Sequence, residues 1–167
     1  MPGRKVNRSI ERVGHEQSAR KVAALLRGTL VVGNLECPIC GVPPKVSHKP
    51  DGAPNLHAPP WTAQWLRLVG FNALSLANNH AGDCGPQGLM ETLEHLKRYH
   101  INALGAGRNL SEALRPCVLN CSHNRIALLA FGNGMTAGRK MPGIAPFTSD
   151  ALHRSLEQLE RSIEGTI

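Results

Sequence analysis

The sequence predicts an α/β fold: a mostly parallel sheet with helices on its faces, plus a hairpin toward the C-terminus. Three observations lead there. Short apolar runs (Thr29–Leu35, Asn72–Ala77, Ile101–Leu104) alternate with segments whose apolar residues recur every three or four positions, the succession that builds strand–helix–strand units. Glycine or proline marks most of the boundaries. The first two runs finish in polar residues, Asn34 and Glu36 on one and Asn78, Asn79 and His80 on the other. Open α/β sheets bind ligands at that end of their strands.

Taken in order, Ala19, Val22, Leu25 and Leu26 share one face of Glu16–Arg27 and Gly28 follows, which predicts a helix with a glycine C-cap. Thr29–Leu35 is the first strand. Cys37–Pro59 is rich in Pro, Gly, Lys and His and reads as one long surface loop, a length that goes with function or mobility. His48 and His57 in it lack metal-ligand spacing and read as solvated. Pro59-Pro60 opens the next helix, with Trp61, Trp65, Leu68 and Val69 as its buried stripe and Gly70 as its stop. Asn72–Ala77 is the second strand. Pro86–Arg98 is a helix buried through Leu89, Leu93 and Leu96, widened by Met90, and Ile101–Leu104 is the third strand.

Gly105-Ala106-Gly107-Arg108-Asn109 lacks the further glycine of a dinucleotide fingerprint. It reads as a tight turn into a short helix, Ser111–Leu114, with Arg108 as a candidate substrate contact. Cys117–Cys121 and Ile126–Phe131 flank Ser122-His123-Asn124-Arg125, which predicts an antiparallel hairpin with His123 in a solvated turn. Gly132–Phe147 reads as loop. Asp150–Ile163 reads as a closing helix with Leu152, Leu156, Leu159 and Ile163 facing inward. With no internal repeat and no second composition, residues 1–167 read as one domain.

A chain of 167 residues, 41% of them apolar, can bury roughly two-thirds of its unfolded surface. No stretch reaches the ~20 apolar residues of a membrane span. No apolar segment follows Arg4, Lys5 and Arg8 as it would in a signal peptide, so the expected setting is cytoplasmic. The net charge of +7 points to acidic partners, a phosphorylated ligand or an acidic polymer. The basic residues are scattered and aromatics make up 4%, which leaves little to stack on bases and argues against nucleic acid. Five cysteines cannot all pair within one chain. Cys37-Pro38-Ile39-Cys40 has the spacing of half a zinc site, but Cys117 and Cys121 do not supply the other half. Reduced thiols are the expectation.

The chemistry concentrates at two strand ends. Gly33-Asn34-Leu35-Glu36 and Ala77-Asn78-Asn79-His80-Ala81-Gly82-Asp83 offer carboxylates, amides and an imidazole that can converge on one divalent ion. Gly33-Asn34-Leu35-Glu36-Cys37-Pro38-Ile39, Ala58-Pro59-Pro60 and Gly70-Phe71-Asn72-Ala73-Leu74-Ser75-Leu76-Ala77-Asn78-Asn79-His80 closely resemble the CapA family. So do Asp83-Cys84-Gly85, Gly88-Leu89, Glu91-Thr92-Leu93, Gly105-Ala106-Gly107 and Pro142-Gly143-Ile144-Ala145-Pro146. These are capsule and poly-γ-glutamate synthesis proteins related to calcineurin-like metallophosphatases, and the likeness covers nearly the whole chain in order.

That resemblance implies a metallophosphatase-like layered fold and a divalent metal (Mn, Fe or Zn). It also implies Asn79 as a metal ligand and His80 as the catalytic acid. Glu36 becomes the acidic ligand with Asn34 a weaker candidate, Asp83 a ligand or the residue that orients His80, and Asn34 and Asn78 join Arg108 as candidate substrate contacts. For Asp83 a helix N-cap is the competing role. Implied partners are an acidic polymer such as poly-γ-glutamate or a phosphorylated ligand. Relatives are often membrane-anchored or exported. The family's pattern also carries an aspartate-bearing strand before the residues that Met1-Pro2-Gly3-Arg4 resemble, and histidine-bearing segments after the final helix. The expectation is therefore a partial, truncated domain, inactive or impaired by itself, with sheet edges open to association. An active phosphoesterase and a non-catalytic polyanion-binding module are the alternatives.

Overall fold

A computed structural model describes residues 5–26, 28–41 and 55–164. Helices α1 (Lys5–Val13) and α2 (His15–Ala23) precede strand β1 (Val32–Asn34). Helix α3 (Trp61–Val69) leads into β2 (Ala73–Ser75), and α4 (Gly85–Arg98) into β3 (Asn102–Leu104). Then come β4 (Ala106–Gly107), α5 (Leu110–Ala113), β5 (Cys117–Cys121), β6 (Asn124–Leu128), β7 (Gly143–Ile144) and α6 (Ser149–Glu164).

The α/β expectation holds. β1, β2 and β3 form one parallel sheet in that order, with Gly33 beside Leu74 and Leu74 beside Ala103. The ladders are shorter than the apolar runs that announced them. At the entry to β1 the Asn72 side chain takes over, its Oδ1 accepting from the Val31 amide at 2.7 Å. Against the sheet pack Val69, Leu89 and Leu96, joined in one core by Leu35, Ile39, Leu74 and Leu76. Trp65 closes that core toward α2, where its indole N–H donates to Ser18 Oγ at 3.0 Å, and His15 stacks on Trp61 at 4.1 Å. Gly70 ends α3 in the left-handed region (φ 106°) and donates to the Leu66 and Arg67 carbonyls, as its position predicts.

Several expectations are corrected. α1 was not anticipated; Ile10 is its buried residue, and the rest of the helix is too polar to show a core stripe. α2 stops at Ala23, where the pattern tightens: the Ala24 N–H still bonds the Arg20 carbonyl, but the Leu25 N–H bonds Val22, and the Leu25 side chain turns out to solvent at 81% exposure. Gly28 is therefore not its cap. Leu68 lies at the side of α3, 45% exposed, while Leu66, Thr62 and Ala63 share the buried face with Trp65 and Val69. Residues 42–54, His48 among them, and Arg27 lie outside the described residues; His57 is exposed.

The region after β3 is built differently. β5 and β6 make the expected hairpin, in register from Cys117–Leu128 to Cys121–Asn124, with His123 exposed in its turn. The stretch read as plain loop contains β7, which pairs antiparallel with β4 over two residues, too few to leave a periodic signal. α6 rests on Ala151 and Ser155, and Ala151 joins a small cluster with Ala113, Leu114, Ala137 and Ala145. Leu152, Leu156 and Ile163, expected inward, are 42%, 39% and 47% exposed; short side chains bring the helix close and leave its longer ones outside. Cys40 and Cys84 form a disulfide, which corrects the expectation of reduced thiols for that pair, while Cys117 and Cys121 stay free. No helix among the described residues is long and apolar enough to cross a membrane.

Candidate functional site

β1 and β2 run side by side, so their C-terminal ends deliver Asn34 and the Asn78 turn to the same edge of the sheet. A chain of hydrogen bonds joins them. Asn34 Nδ2 donates to Glu36 Oε2. Asn78 Nδ2 donates at 3.0 Å both to Asn34 Oδ1 and to the Leu35 carbonyl. Asn78 Oδ1 accepts from the His80 amide at 3.0 Å. His80 Nδ1 lies 2.8 Å from Asp83 Oδ2, which also accepts from the Leu56 amide at 2.7 Å. Seven residues from three segments thus share one continuous polar network.

Each link assigns a role. A carboxylate accepts but cannot donate, so Asp83 fixes Nδ1 as a protonated nitrogen of His80. Asp83 is almost fully buried and the His80 side chain is 15% exposed. The competing N-cap role for Asp83 falls away, and its contact with His80 is the one the structure shows. The cap position of α4 is Cys84, without a side-chain bond, and the Asp83 carboxylate is turned to His80 and Leu56 instead. The Asn78 amide is engaged on both sides, as donor and acceptor, and ties the two strand ends together. The Asn79 side chain is exposed. Arg108 stands apart from this network: its guanidinium and backbone N–H bond Glu112, with Nη2 to Oε1 at 2.6 Å. The Arg108 bonds hold the Glu112 carboxyl below its ordinary range, and Glu112 raises Arg108.

The turn from Ala77 to Asn79 is roofed by glycines. A Cβ on Gly132 would overlap the Ala77 carbonyl and stand 3.2 Å from the Asn78 amide nitrogen. One on Gly134 would stand 2.8 Å from the Asn78 carbonyl oxygen and 3.1 Å from Asn79 Cα, and one on Gly105, already at φ +66°, 2.7 Å from Ala77 Cβ. Such approaches tolerate only a bare backbone. Sequence reasoning missed this roof, although Gly132 and Gly134 bracketing Asn133 after an apolar strand could have signalled it.

For a divalent metal the donor chemistry fits in part. Glu36 offers a carboxylate, Asn79 an amide oxygen and His80 an imidazole, all types such ions accept. Among the described residues, however, no three His, Cys, Asp or Glu side chains come together. The residues supply a share of a coordination shell.

Comparison with known proteins agrees with the strand-end motifs. The family model described as bacterial capsule synthesis protein PGA_cap matches residues 1–164. The capsule biosynthesis protein CapA of Bacillus anthracis is 29% identical over 170 residues, 99% of this chain and 41% of that protein. The PGA biosynthesis protein CapA of Bacillus subtilis (strain 168) is 30% identical over 152 residues, 87% of this chain and 40% of that protein. An uncharacterized protein of Sinorhizobium fredii, y4sH, is 30% identical over 129 residues, 74% of this chain and 27% of that protein. The chain thus spans about two-fifths of the Bacillus relatives it matches. With a match along almost its whole length, this chain belongs to the bacterial capsule synthesis protein PGA_cap family.

Proposed function

We propose that the chain serves capsule or poly-γ-glutamate biosynthesis and carries one wall of a metal-dependent phosphoesterase-type site, the remaining ligands coming from outside the residues described. The observation that carries this reading is the network that runs from Glu36 through Asn34 and Asn78 to the His80–Asp83 pair. It joins the two family motifs in one place, and two relatives are named for capsule and PGA biosynthesis.

Within it, Asp83 holds the His80 ring through Nδ1; with both ring nitrogens protonated, Nε2 can give its proton to a departing oxygen and the ring is left neutral. Asn78 fixes the spacing between the two strand ends, and Asn34 steers the Glu36 carboxylate. Glu36 and Asn79 would hold a divalent ion (Mn, Fe or Zn), with Asp83 acting through His80 from behind. Such an ion, when bound, polarises a phosphoester oxygen and activates water. Arg108, locked to Glu112, is a weaker substrate contact than its sequence position implies.

The test is calorimetric titration of the purified chain with Mn2+, alongside hydrolysis of an aryl phosphate. Mn2+ binding should weaken at least about tenfold in Glu36→Gln and in Asn79→Ala. Any turnover should vanish in His80→Ala while Mn2+ binding stays within a few-fold. Absence of Mn2+ binding in the wild-type chain, or binding indifferent to Glu36 and Asn79, sinks the reading. A second reading, polyanion binding, is favoured by nineteen Lys and Arg against twelve Asp and Glu. It requires salt-sensitive binding of polyglutamate that survives His80→Ala, and fails if no binding is seen at low salt.

A further inference from the structure

We propose that the Cys40–Cys84 disulfide is the far closure of the candidate site, so that the site assembles only where thiols are oxidised. The link to metal binding rests on the reading above; the bond and its effect on the fold are tested without it.

The position of the bond carries the inference. The β1–β2 ladder ends where Asn34 pairs with Ser75, and beyond it the two segments that bear Glu36 and His80 leave the sheet. They meet again at Cys40 and Cys84, forty-four residues apart in sequence. Glu36 and His80 therefore lie on one closed loop, sealed by hydrogen-bonded strands on one side and by the disulfide on the other. Cys84 follows Asp83, the residue that holds His80, and directly precedes α4.

The surroundings are built for the bond. Cys40 and Cys84 are 1% and 6% exposed. A Cβ on Gly88, one turn into α4, would collide with Cys84 Cβ and stand 3.6 Å from Cys40 Cβ, so the bare backbone there leaves room for the pair. Cys40 is also anchored through its amide to the Ala58 carbonyl at 3.1 Å, and neighbouring Ile39 through its amide to Thr92 Oγ1 at 2.8 Å. The other cysteine of the Cys-x-x-Cys, Cys37, is buried as well.

Formation needs a disulfide-bearing oxidant. One chain thiolate attacks a donor sulfur and releases a donor thiolate. The second chain thiolate then displaces the remaining donor thiolate, forming the Cys40–Cys84 bond. Two protons leave the chain and two electrons pass to the donor. Once formed, the bond is shielded from small thiols by its burial. It acts as a staple rather than a shuttle, the behaviour of structural disulfides in oxidising compartments.

The experiment takes the full chain, incubated with oxidised glutathione and alkylated in denaturant without reductant. Peptide mass mapping should find Cys40 joined to Cys84 and Cys37, Cys117 and Cys121 alkylated. Five alkylated cysteines, or a different pair, overturn the proposal. Thermal melting is the second arm. Excess dithiothreitol should lower the wild-type Tm by roughly 5–15 °C, and Cys40→Ser should melt at the lowered temperature with or without reductant. A wild-type Tm unmoved after the bond is shown to be reduced overturns the staple. The third arm titrates Mn2+ into oxidised and reduced chain, and at least about tenfold weaker binding after reduction is expected. Equal binding in both states overturns the closure. Binding in neither state overturns the metal reading alone, since mapping and melting still decide the staple.

Discussion

The sheet half and the C-terminal region solve the same packing problem with different materials. Around β1–β3 the core is made of long aliphatics, Leu35, Leu74, Leu76, Leu89 and Leu96. After β4 the second cluster is mostly alanine, and α6 touches it through Ala151 while Leu152 and Leu156 face solvent. Large side chains bury more apolar area for each position ordered. Small ones bring backbones close at the expense of that area. The candidate site stands on the aliphatic half and is roofed by the glycine loops of the other. Stiffness comes from below, close fit from above.

The contrast is open to measurement. Leu74→Ala should cost about 3 kcal/mol in urea unfolding, because Leu74 is 1% exposed at the centre of the sheet. Comparable losses from Leu156→Ala would break the comparison; that residue, 39% exposed, should move stability by no more than about 0.5 kcal/mol. A smaller effect sharpens the role of polar ties in the sheet half. Thr92 Oγ1, fully buried, accepts from the Ile39 amide at 2.8 Å and donates to the Gly88 carbonyl at 2.7 Å. Thr92→Val keeps the shape and orphans the Ile39 N–H, so a loss of about 1–2 kcal/mol is expected, read from the same unfolding curves. The smallest effect belongs beside α5. Because Glu112 titrates below its ordinary range in the folded chain, its contribution is present above that range and is lost as pH falls through the depressed value. Melting temperatures followed downward in pH should decline slightly less in Glu112→Gln than in the wild type. Identical acid profiles would remove the Arg108–Glu112 pair from the account.

How much of this was legible follows from the length of each signal. β1, β2, β3, α3 and α4 announced themselves through apolar runs and punctuation, since buried parallel strands and one-sided helices leave strong patterns. Glu36 and His80 were picked from strand-end position and resemblance, and the structure brings both into one network. The tie made by Asn78 was not foreseen, because an amide that bridges two loops looks in sequence like any turn asparagine. β7 is two residues long and its partner β4 likewise, below any periodicity. The face of α6 was misread because a 3.6-residue repeat of leucine says that a stripe exists and cannot say what covers it. Cys40 and Cys84 were missed as a pair since proximity across forty-four residues is a product of topology alone.

The glycine roof has a bearing on how the chain matures. Gly132 reaches Ala77 and Asn78 across a long intervening stretch that includes the β5–β6 hairpin, so this contact joins segments far apart along the backbone. Non-local contacts close late, after the entropy of the intervening loop has been surrendered. The sheet and its helices can therefore order before the turn that bears Asn79 and His80 is immobilised. In native-state hydrogen exchange the amides of residues 77–80 should open with the 132–136 segment, well before those of β2.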